Sequence, residues 1–341
     1  MAADETPLPS KRFLHSAPVR IAVVGTGNVG STFAYALLLS GLAAEIVLID
    51  ASRSKAEGEA MDLNHAVPFA HPTRIWAGNY EDCAGAVITV IAAGANQKPG
   101  GETRLALLQR NADIFAEIVP HIVEPNPDGI LLIATNPVDV LTYASYKKSG
   151  LPAGRVIGSG TILDTARFRY LLSEYFGVDT RSVHAHIIGE HGDSEVPVWS
   201  LANIAGMRLR EFCEVRGCAY EPRAMEQIFE RTRDAAYHII QRKGATFYAV
   251  AAGILRIVEA ILRNQNTVLS VSSMVDDYYG INDVCLSLPT IIGRNGIEKV
   301  LHVALDEGEV GKLKHSADVL RGTIAQLRLV ELEQRRGPVS G

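Results

Sequence analysis

The sequence contains no long apolar run, no basic block and few cysteines. No stretch approaches the roughly 18 uncharged apolar residues that a membrane-spanning helix needs, and the polar beginning of the chain lacks the apolar core of a secretory signal. The formal net charge of −5 includes no basic stripe, which argues against nucleic acid and against an anionic membrane as partners. We therefore expect a cytoplasmic protein that binds neither nucleic acid nor membranes.

Cysteine is scarce, with only Cys83, Cys213, Cys218 and Cys285 in the whole chain. No two of them have CxxC spacing, and the interval between Cys213 and Cys218 is too wide for a zinc-ribbon knuckle. This usage predicts buried free thiols in a reducing compartment and argues against a disulfide framework.

Apolar sequence is plentiful and makes up 47% of the 341 residues, beside 21% charged residues. This composition is typical of a soluble globular protein, and the length predicts two domains. Up to about residue 160, short apolar runs such as EIVLID alternate with segments of helical periodicity. Strands that are apolar throughout predict an α/β fold with a parallel sheet covered on both faces. Beyond that point, long helices and two strand-like runs, 267–276 and 284–292, predict an α+β region.

A glycine motif, GTGNVG, ends the first predicted strand and opens the first predicted helix. Gly25 permits a tight turn, Gly27 lets the backbone approach a pyrophosphate, and Gly30 allows close packing of helix on strand. The helix N-terminus at Asn28 and Val29 offers N–H donors and a partial positive charge to phosphates. The motif in this context indicates a dinucleotide site.

Asp50 ends the second predicted strand, where a carboxylate accepts hydrogen bonds from a ribose hydroxyl and repels a 2′-phosphate. The sequence therefore favours NAD over NADP. It predicts a Rossmann-type doubly wound NAD-binding domain at residues 20–160, followed by an α+β substrate and catalytic domain at 161–334. Residues 1–19 are expected to form a flexible N-terminal arm, and 335–341 a C-terminal tail.

Two further segments carry charges that suit ligand chemistry. The Pro and Gly residues of AAGANQKPGGETR predict a loop after a strand, from which Arg104 can enter a site at the carboxyl end of the sheet. In LDTAR, Asp164 and Arg167 share one face of a helix. They either form a surface ion pair or act separately, with Arg167 binding a substrate carboxylate and Asp164 orienting a histidine.

The segment HAHIIGEHGD, residues 184–193, holds three histidines and two carboxylates within ten positions. Its spacing alone is compatible with a metal site, a proton-transfer centre or polar residues in a loop. The choice among them depends on partners elsewhere in the chain.

The order of these segments resembles the lactate/malate dehydrogenase family from about residue 20 to 330. The resemblance is carried by GTGNVG, LID ending at Asp50, AGANQKPGGETR, ATNPVD, GSGTILDTARFR and GEHGDS. Within the family, the chain is most similar to the bacterial enzymes that act on lactate. The resemblance implies reversible hydride transfer between NADH and pyruvate, as in glycolysis and fermentation.

The resemblance also implies roles for individual residues. His191 would be the acid/base, Asp164 would hold and charge its imidazole, Arg167 would anchor the substrate carboxylate, and Arg104 would polarise the carbonyl. Further residues implied to contact the substrate are Gln97, Asn136 and Thr246. Further residues implied to line the cofactor are Lys55, Tyr80, Gly94, Ala95, Ala134, Asn136 and Ser159. A charged His191 could not ligate a metal, and HxH-x4-H is not a recognised zinc spacing, so we expect no metal.

A second site is implied between subunits of a homotetramer. Arg169 and His184 match the two positions that bind fructose 1,6-bisphosphate in allosteric bacterial members of the family. The alternative is that both residues merely tune a subunit interface. His186 is expected to be packed or exposed without a functional role.

The substrate preference depends on Gln97, where the related malate enzymes carry an arginine that pairs with a second carboxylate. A neutral glutamine leaves that charge unpaired, so pyruvate and lactate are favoured. Malate and branched 2-hydroxy acids remain the alternatives, and the extra glycine in QKPGGETR is expected to alter loop closure. A nucleotide sensor would need none of the catalytic residues, and a metal-dependent NAD glycosidase would need a ligand such as cysteine near residues 184–193.

Overall fold

The computed structural model describes residues 18–95 and 103–327. Its strands are β1 (Arg20–Val24), β2 (Glu45–Ile49), β3 (Arg74–Ala77), β4 (Ala86–Ile91), β5 (Ile130–Ile133), β6 (Val156–Gly158), β7 (Val183–His184), β8 (Ile187–Ile188), β9 (Val196–Pro197), β10 (Asn203–Ile204), β11 (Met207–Arg208), β12 (Thr267–Val275), β13 (Val284–Gly293) and β14 (Gly296–Val300). Its α-helices are α1 (Asn28–Ser40), α2 (Arg53–Ala66), α3 (Arg104–Val123), α4 (Val138–Ser149), α5 (Ile162–Phe176), α6 (Leu209–Arg216), α7 (Pro222–Lys243), α8 (Tyr248–Leu262) and α9 (Glu307–Gln326).

The first six strands form a parallel sheet in the order β3-β2-β1-β4-β5-β6. Most of their side chains are apolar on both faces because helices cover both faces, and β2 is buried along its whole length. The strand order reverses between β1 and β4, which opens a crevice at the carboxyl ends of the strands where such sheets bind ligands. The predicted Rossmann-type α/β fold is confirmed.

The helices divide between the two faces of this sheet. One face packs on α1, α2 and α8, with Phe33 and Ile257 among the fully buried side chains. The other face packs on α3 and α4, through Phe115 and Leu141. Since α8 belongs to the second half of the chain, that half contributes to the core around the glycine motif.

The strand-like runs predicted at 267–276 and 284–292 are β12 and β13, and they do not form a separate sheet. With β14 they continue the large sheet antiparallel, in the order β14-β13-β12-β6. The junction is the bridge between Ser272 and Gly158. A Cβ on Gly158 would lie 2.3 Å from Thr142 Oγ1, so only glycine permits this approach. Periodicity identified the strands, but it contains no information about which strand edge they join.

The rest of the second half packs around two smaller cores. α5 packs with α7 and the small sheet β11-β10-β7, and α9 packs with β8, β9 and β13. These short strands have two residues each, which is too few for a periodic pattern to reveal. Over the described residues, no helix combines the length and apolar character needed to cross a membrane.

Candidate active site

The loop after β8 carries His191 and is anchored at several backbone positions. Gly189 exchanges two backbone hydrogen bonds of 2.9 Å with Ser287 in β13. Its φ of +89° favours glycine, and a Cβ there would lie 2.7 Å from Ser316 Oγ. Glu190 N donates to the same Ser316 hydroxyl over 2.7 Å. The loop is therefore held between β13 and α9, which fixes where His191 begins.

His191 and Asp164 form a direct hydrogen-bonded pair. His191 Nδ1 lies 2.5 Å from Asp164 Oδ2, and the Asp164 side chain is only 4% exposed. An ionised carboxylate accepts hydrogen bonds only, so Nδ1 is the donor and Nε2 remains for a ligand. Asp164 comes from the first turn of α5, 27 residues before His191.

The electrostatics of the pair favour a charged imidazole. Burial alone would lower the pKa of His191, but the charge and hydrogen bond of Asp164 outweigh burial and raise that pKa to about 9. Burial likewise opposes ionisation of Asp164, yet His191 and Arg167 keep its pKa below the ordinary value. Near neutral pH the pair is therefore imidazolium and carboxylate, and His191 has a proton to donate.

Arg167 extends the pair into a buried cluster. Its Nη1 donates to Asp164 Oδ1 over 3.0 Å, while Asp164 Oδ2 holds the histidine. Asp164 therefore pairs with Arg167 and holds His191 at the same time. The Arg167 side chain is 13% exposed, so this is not a surface ion pair. A guanidinium has five N–H donors, which leaves Arg167 capable of binding a ligand carboxylate as well.

Asp139, at the start of α4, was missed by the sequence analysis. Its Oδ2 accepts a 2.7 Å hydrogen bond from the backbone N–H of His191, 52 residues away. Burial raises the pKa of Asp139 to about 6. Among the described residues, neither Asp139 Oδ1 nor the buried Ser272 Oγ has a hydrogen-bond partner. The only sequence signal was a carboxylate two residues after Asn-Pro at a helix start, which resembles an ordinary first-turn acidic residue.

Glu195 was missed as well. It is buried just before β9, and its Oε1 has no hydrogen-bond partner among the described residues. Burial, and next the neighbouring charge of Asp164, raise the pKa of Glu195 to about 9. Near neutral pH it is a neutral carboxylic acid beside the charged cluster. A carboxylate next to the apolar run VPVW was the available sequence signal.

The glycine motif has the geometry of a phosphate-binding turn. Gly25 has a φ of +95°, and a Cβ there would lie 2.3 Å from Ala93 N. A Cβ on Gly30 would lie 1.9 Å from Gly25 O. A Cβ on Gly27, by contrast, would have none of the described residues within 4 Å, and no described side chain caps α1. The open backbone at this helix N-terminus fits a pyrophosphate.

Asp50 stays ionised at the end of β2. Its Oδ2 accepts hydrogen bonds from Thr26 N at 2.7 Å and Thr26 Oγ1 at 3.0 Å, and its Oδ1 accepts one from Ser52 N at 2.9 Å. Burial would raise the pKa of Asp50, but these hydrogen bonds and Lys55 outweigh burial and lower it. A carboxylate at this edge fits ribose hydroxyls and disfavours a 2′-phosphate.

Most other predicted cofactor residues lie along the same edge of the sheet. Gly94 and Ala95 follow β4, Ala134 and Asn136 follow β5, and Ser159 follows β6. Asn28 and Val29 open α1 and Lys55 lies in α2. Tyr80 stacks on His121, with ring centroids 5.7 Å apart.

The predicted substrate residues are less completely described. Thr246 lies in the connection between α7 and α8. Arg104 is the first residue of α3, which Thr103 caps by accepting a hydrogen bond from Ala106 N over 3.2 Å. The side chain of Arg104, and all of Gln97, lie outside the described residues.

The residues predicted for the effector site lie together at β7 and α5. Arg169 donates from Nε to Ala185 O over 2.8 Å, and His184 is exposed on β7. His186 lies beside them with Nδ1 3.1 Å from Ser270 Oγ. Burial, then the charges of Arg169 and His184, lower the pKa of His186 to about 4, so it is neutral near neutral pH. In the described part of the chain, no group of three or more His, Cys, Asp or Glu side chains is arranged to hold a metal ion.

Two family models match consecutive parts of the chain. Residues 19–158 match the NAD binding domain of lactate/malate dehydrogenase, and residues 161–329 match the alpha/beta C-terminal domain of lactate/malate dehydrogenase. Together they span the sheet, the glycine motif and the histidine loop.

Individual proteins give the same result. The chain is 56% identical over 308 residues to an L-lactate dehydrogenase of Acetivibrio thermocellus, covering 90% of this chain and 97% of that protein. It is 55% identical over 304 residues to an L-lactate dehydrogenase of Priestia megaterium, covering 89% and 95%. The crystal structure of a minor L-lactate dehydrogenase from Enterococcus mundtii superposes with a TM-score of 0.88 at 41% identity, covering 91% of this chain and 99% of that chain.

Proposed function

The chain belongs to the lactate/malate dehydrogenase family, and we propose that it is an NAD-dependent L-lactate dehydrogenase that interconverts pyruvate and L-lactate. The observation that carries the proposal is the buried cluster of His191, Asp164 and Arg167, with the 2.5 Å contact between His191 Nδ1 and Asp164 Oδ2. When bound, NADH supplies the hydride for the carbonyl carbon of pyruvate.

The residues of the cluster have complementary tasks. Arg167 binds the carboxylate of pyruvate through a guanidinium fork. His191 donates its Nε2 proton to the carbonyl oxygen, and Asp164 stabilises the imidazolium before the transfer. In the direction of lactate oxidation, neutral His191 takes the hydroxyl proton back. Arg104 is assigned the polarisation of the carbonyl, with Asn136 and Thr246 in the pocket.

The cofactor is held by the opposite end of the crevice. The open backbone at Gly27 and the N-terminus of α1 receive the pyrophosphate, and Asp50 receives the ribose hydroxyls. Lys55, Tyr80, Gly94, Ala95, Ala134 and Ser159 are assigned to the remaining cofactor contacts. The neutral Glu195 adds no second negative charge that would repel a 2-oxo acid.

The substrate assignment is tested by NADH consumption with pyruvate, oxaloacetate and 2-oxoisocaproate, one at a time. Pyruvate should give the largest kcat/KM, because Gln97 offers no positive charge to a second carboxylate. Preference of the native protein for oxaloacetate would show that malate is the substrate. Preference for 2-oxoisocaproate would show that the protein is a branched 2-hydroxy acid dehydrogenase with a larger substrate pocket.

The variant Gln97→Arg sharpens this test. It should shift the ratio of kcat/KM towards oxaloacetate, because a guanidinium pairs with the additional carboxylate. Gln97→Leu is the matched control: it has similar bulk without charge and should not increase oxaloacetate reduction.

Regulation at Arg169 and His184 is the finer part of the proposal. These two groups, contributed by each of two subunits of a homotetramer, would bind the two phosphates of fructose 1,6-bisphosphate. His184 is exposed, Arg169 Nε donates to Ala185 O beside it, and the neutral His186 adds no charge at this place. Pyruvate reduction at low substrate should rise with fructose 1,6-bisphosphate, and His184→Gln should weaken the response. An unchanged KM and unchanged assembly state in its presence would reject regulation and leave an interface role.

A further inference from the structure

The end of α6 brings two cysteines together. Gly217 follows the helix in the left-handed conformation, with φ +76°. Both Gly217 N and Cys218 N donate to Cys213 O, over 2.8 and 3.0 Å. The bond from Cys218 to Cys213 is the long-range bond of a Schellman cap, a motif that places these two side chains in contact. In this motif the contact is frequently between apolar residues, and here it is between two thiols.

The two sulfur atoms are in close contact. Cys218 Sγ lies 3.0 Å from Cys213 Sγ. A disulfide bond is about 2.05 Å long, so a movement of about 1 Å closes it. Cys218 is exposed and Cys213 is buried, so an oxidant from solvent reaches the Cys218 thiol first.

We propose that Cys213 and Cys218 are a dithiol modification site that low-molecular-weight disulfides oxidise to an intramolecular disulfide. The thiolate of Cys218 attacks one sulfur of the small disulfide, forms a mixed disulfide and releases one small thiol. Cys213 then loses its proton, attacks Cys218 Sγ and releases the second small thiol. Two protein thiols are oxidised, and one small disulfide is reduced to two thiols.

The surroundings favour this order of events. Burial, together with the hydrogen bond and the charge interaction between the two thiols, raises the pKa of Cys213 to about 11, which keeps it a thiol in the reduced protein. Once Cys218 is in the mixed disulfide, it has neither a thiol proton nor a thiolate charge, so both interactions that raise the Cys213 pKa are lost. The other two cysteines do not compete, because burial raises the pKa of Cys83 to about 12 and that of Cys285 well above its ordinary value.

The disulfide would fix the cap of α6, which is hydrogen-bonded to the end of α5. Tyr175 Oη donates to Ala219 O over 3.2 Å, and Arg216 Nη1 donates to Gly177 O over 3.2 Å. These bonds tie the cap of α6 to the C-terminal end of α5, far along the helix from Asp164 and Arg167. The oxidised protein should therefore have a higher Tm than the reduced protein and the same kcat.

The experiment uses the full chain, equilibrated with mixtures of oxidised and reduced glutathione, then alkylated and digested with trypsin. Cleavage after Arg210, Arg216 and Arg223 separates the cysteines into the peptides EFCEVR and GCAYEPR. We expect these peptides as one linked species that separates on reduction. Glutathione attached to Cys218 with no linked species, or no reaction at either residue, would overturn the proposal.

Two variants separate the steps. Cys213→Ala should trap glutathione on Cys218, because the resolving thiol is absent. Cys218→Ser should leave Cys213 unmodified, because the buried thiol is not reached. Modification of Cys213 in the second variant would contradict the proposed order. Both variants should retain the kcat of the native protein, which checks that they are folded.

Discussion

The two ends of the active-site crevice are built in different ways. The phosphate-binding part of the predicted cofactor end is formed by backbone within one short turn, where Gly25 and Gly30 have no room for a side chain and Gly27 leaves the backbone open. The chemical end is formed by side chains from distant segments, since Asp164 and Asp139 reach His191 across 27 and 52 residues. A short motif is enough to specify the first, whereas the second exists only after the second half of the chain has packed.

This difference has consequences for substitutions. At the cofactor end the effect of a substitution depends on whether the added Cβ has room. At the chemical end the balance between burial and charge decides it, because His191 would lose its proton more readily without its carboxylate partner. Variants at each end should therefore fail by different measurable routes.

The largest effect is expected for His191→Gln. It should lower kcat for pyruvate reduction by about 10²–10⁴, the usual contribution of a general acid, since glutamine cannot supply a proton. Steady-state rates with pyruvate and NADH measure the loss, and fluorescence titration with NADH should give an unchanged Kd. A kcat within a few-fold of the native value would remove His191 from the reaction.

Asp164→Asn should change the pH profile. In the native protein kcat/KM for pyruvate should fall as pH rises through about 9, where His191 loses its proton. In the variant the fall should come at lower pH, because Asp164 makes the largest contribution that opposes burial, and burial lowers the His191 pKa. The same shift predicts stability: the contribution of charged His191 is complete below pH 6.5, its ordinary value, and is lost as pH rises to about 9. Urea unfolding at several pH values should show this loss in the native protein and not in Asp164→Asn.

Gly27→Ala and Gly25→Ala form a matched pair at the cofactor end. Gly27→Ala should weaken NADH binding about ten-fold, equivalent to ~1.4 kcal/mol, and leave the Tm unchanged because its Cβ enters open space. Gly25→Ala should destabilise the fold by about 1–3 kcal/mol, since its left-handed backbone and the approach of Ala93 N exclude a side chain. Equal losses of Tm in both variants would contradict the distinction.

Glu195→Gln should have the smallest effect on the reaction. The amide replaces a carboxyl that is neutral near neutral pH, so kcat at pH 7 should change by less than about three-fold. The raised pKa means that the unfolded chain ionises above about 4.5 while the folded protein resists ionisation up to about 9, so native stability falls across this interval. The variant should therefore have the higher Tm at pH 8, and a lower Tm there would indicate that Glu195 is charged in the folded protein.

The sequence predicted those parts of the structure that depend on neighbours in the chain. Most of the strand and helix pattern up to residue 160, the left-handed turn at Gly25 and the helices on either side of the histidine loop follow from local periodicity and glycine placement, whereas β3 was not predicted. Asp164 and Arg167 were placed on one face of a helix, and an ion pair between them was one of the two interpretations. Gln97 and the side chain of Arg104 lie outside the described residues, and the roles assigned to them stay predictions.

What the sequence did not reveal depends on tertiary packing. Asp139 resembled a helix-start carboxylate, and nothing local says that its Oδ2 receives the N–H of His191. Glu195 stands next to the apolar run VPVW, and nothing local says that packing buries it. The short strands β7 to β11 are defined by their partners alone, and the placement of β12 beside β6 is decided by the fit of Gly158 against Thr142 and Ser272.

The contact between β6 and β12 at Gly158 means that the chain cannot be divided into two stable fragments where the two family models meet. In a fragment ending at Gly158, β6 would be an unpaired edge strand that can pair with other chains and cause aggregation. The fragment would also lose α8 from the core around Phe33. The remainder, beginning at residue 161, would lack the strand on which β12 is aligned. Although family models divide the chain at this point, neither piece has a complete hydrophobic core of its own. Exchange of halves between relatives should give a folded protein only when Gly158 and the residues that face it come from the same relative.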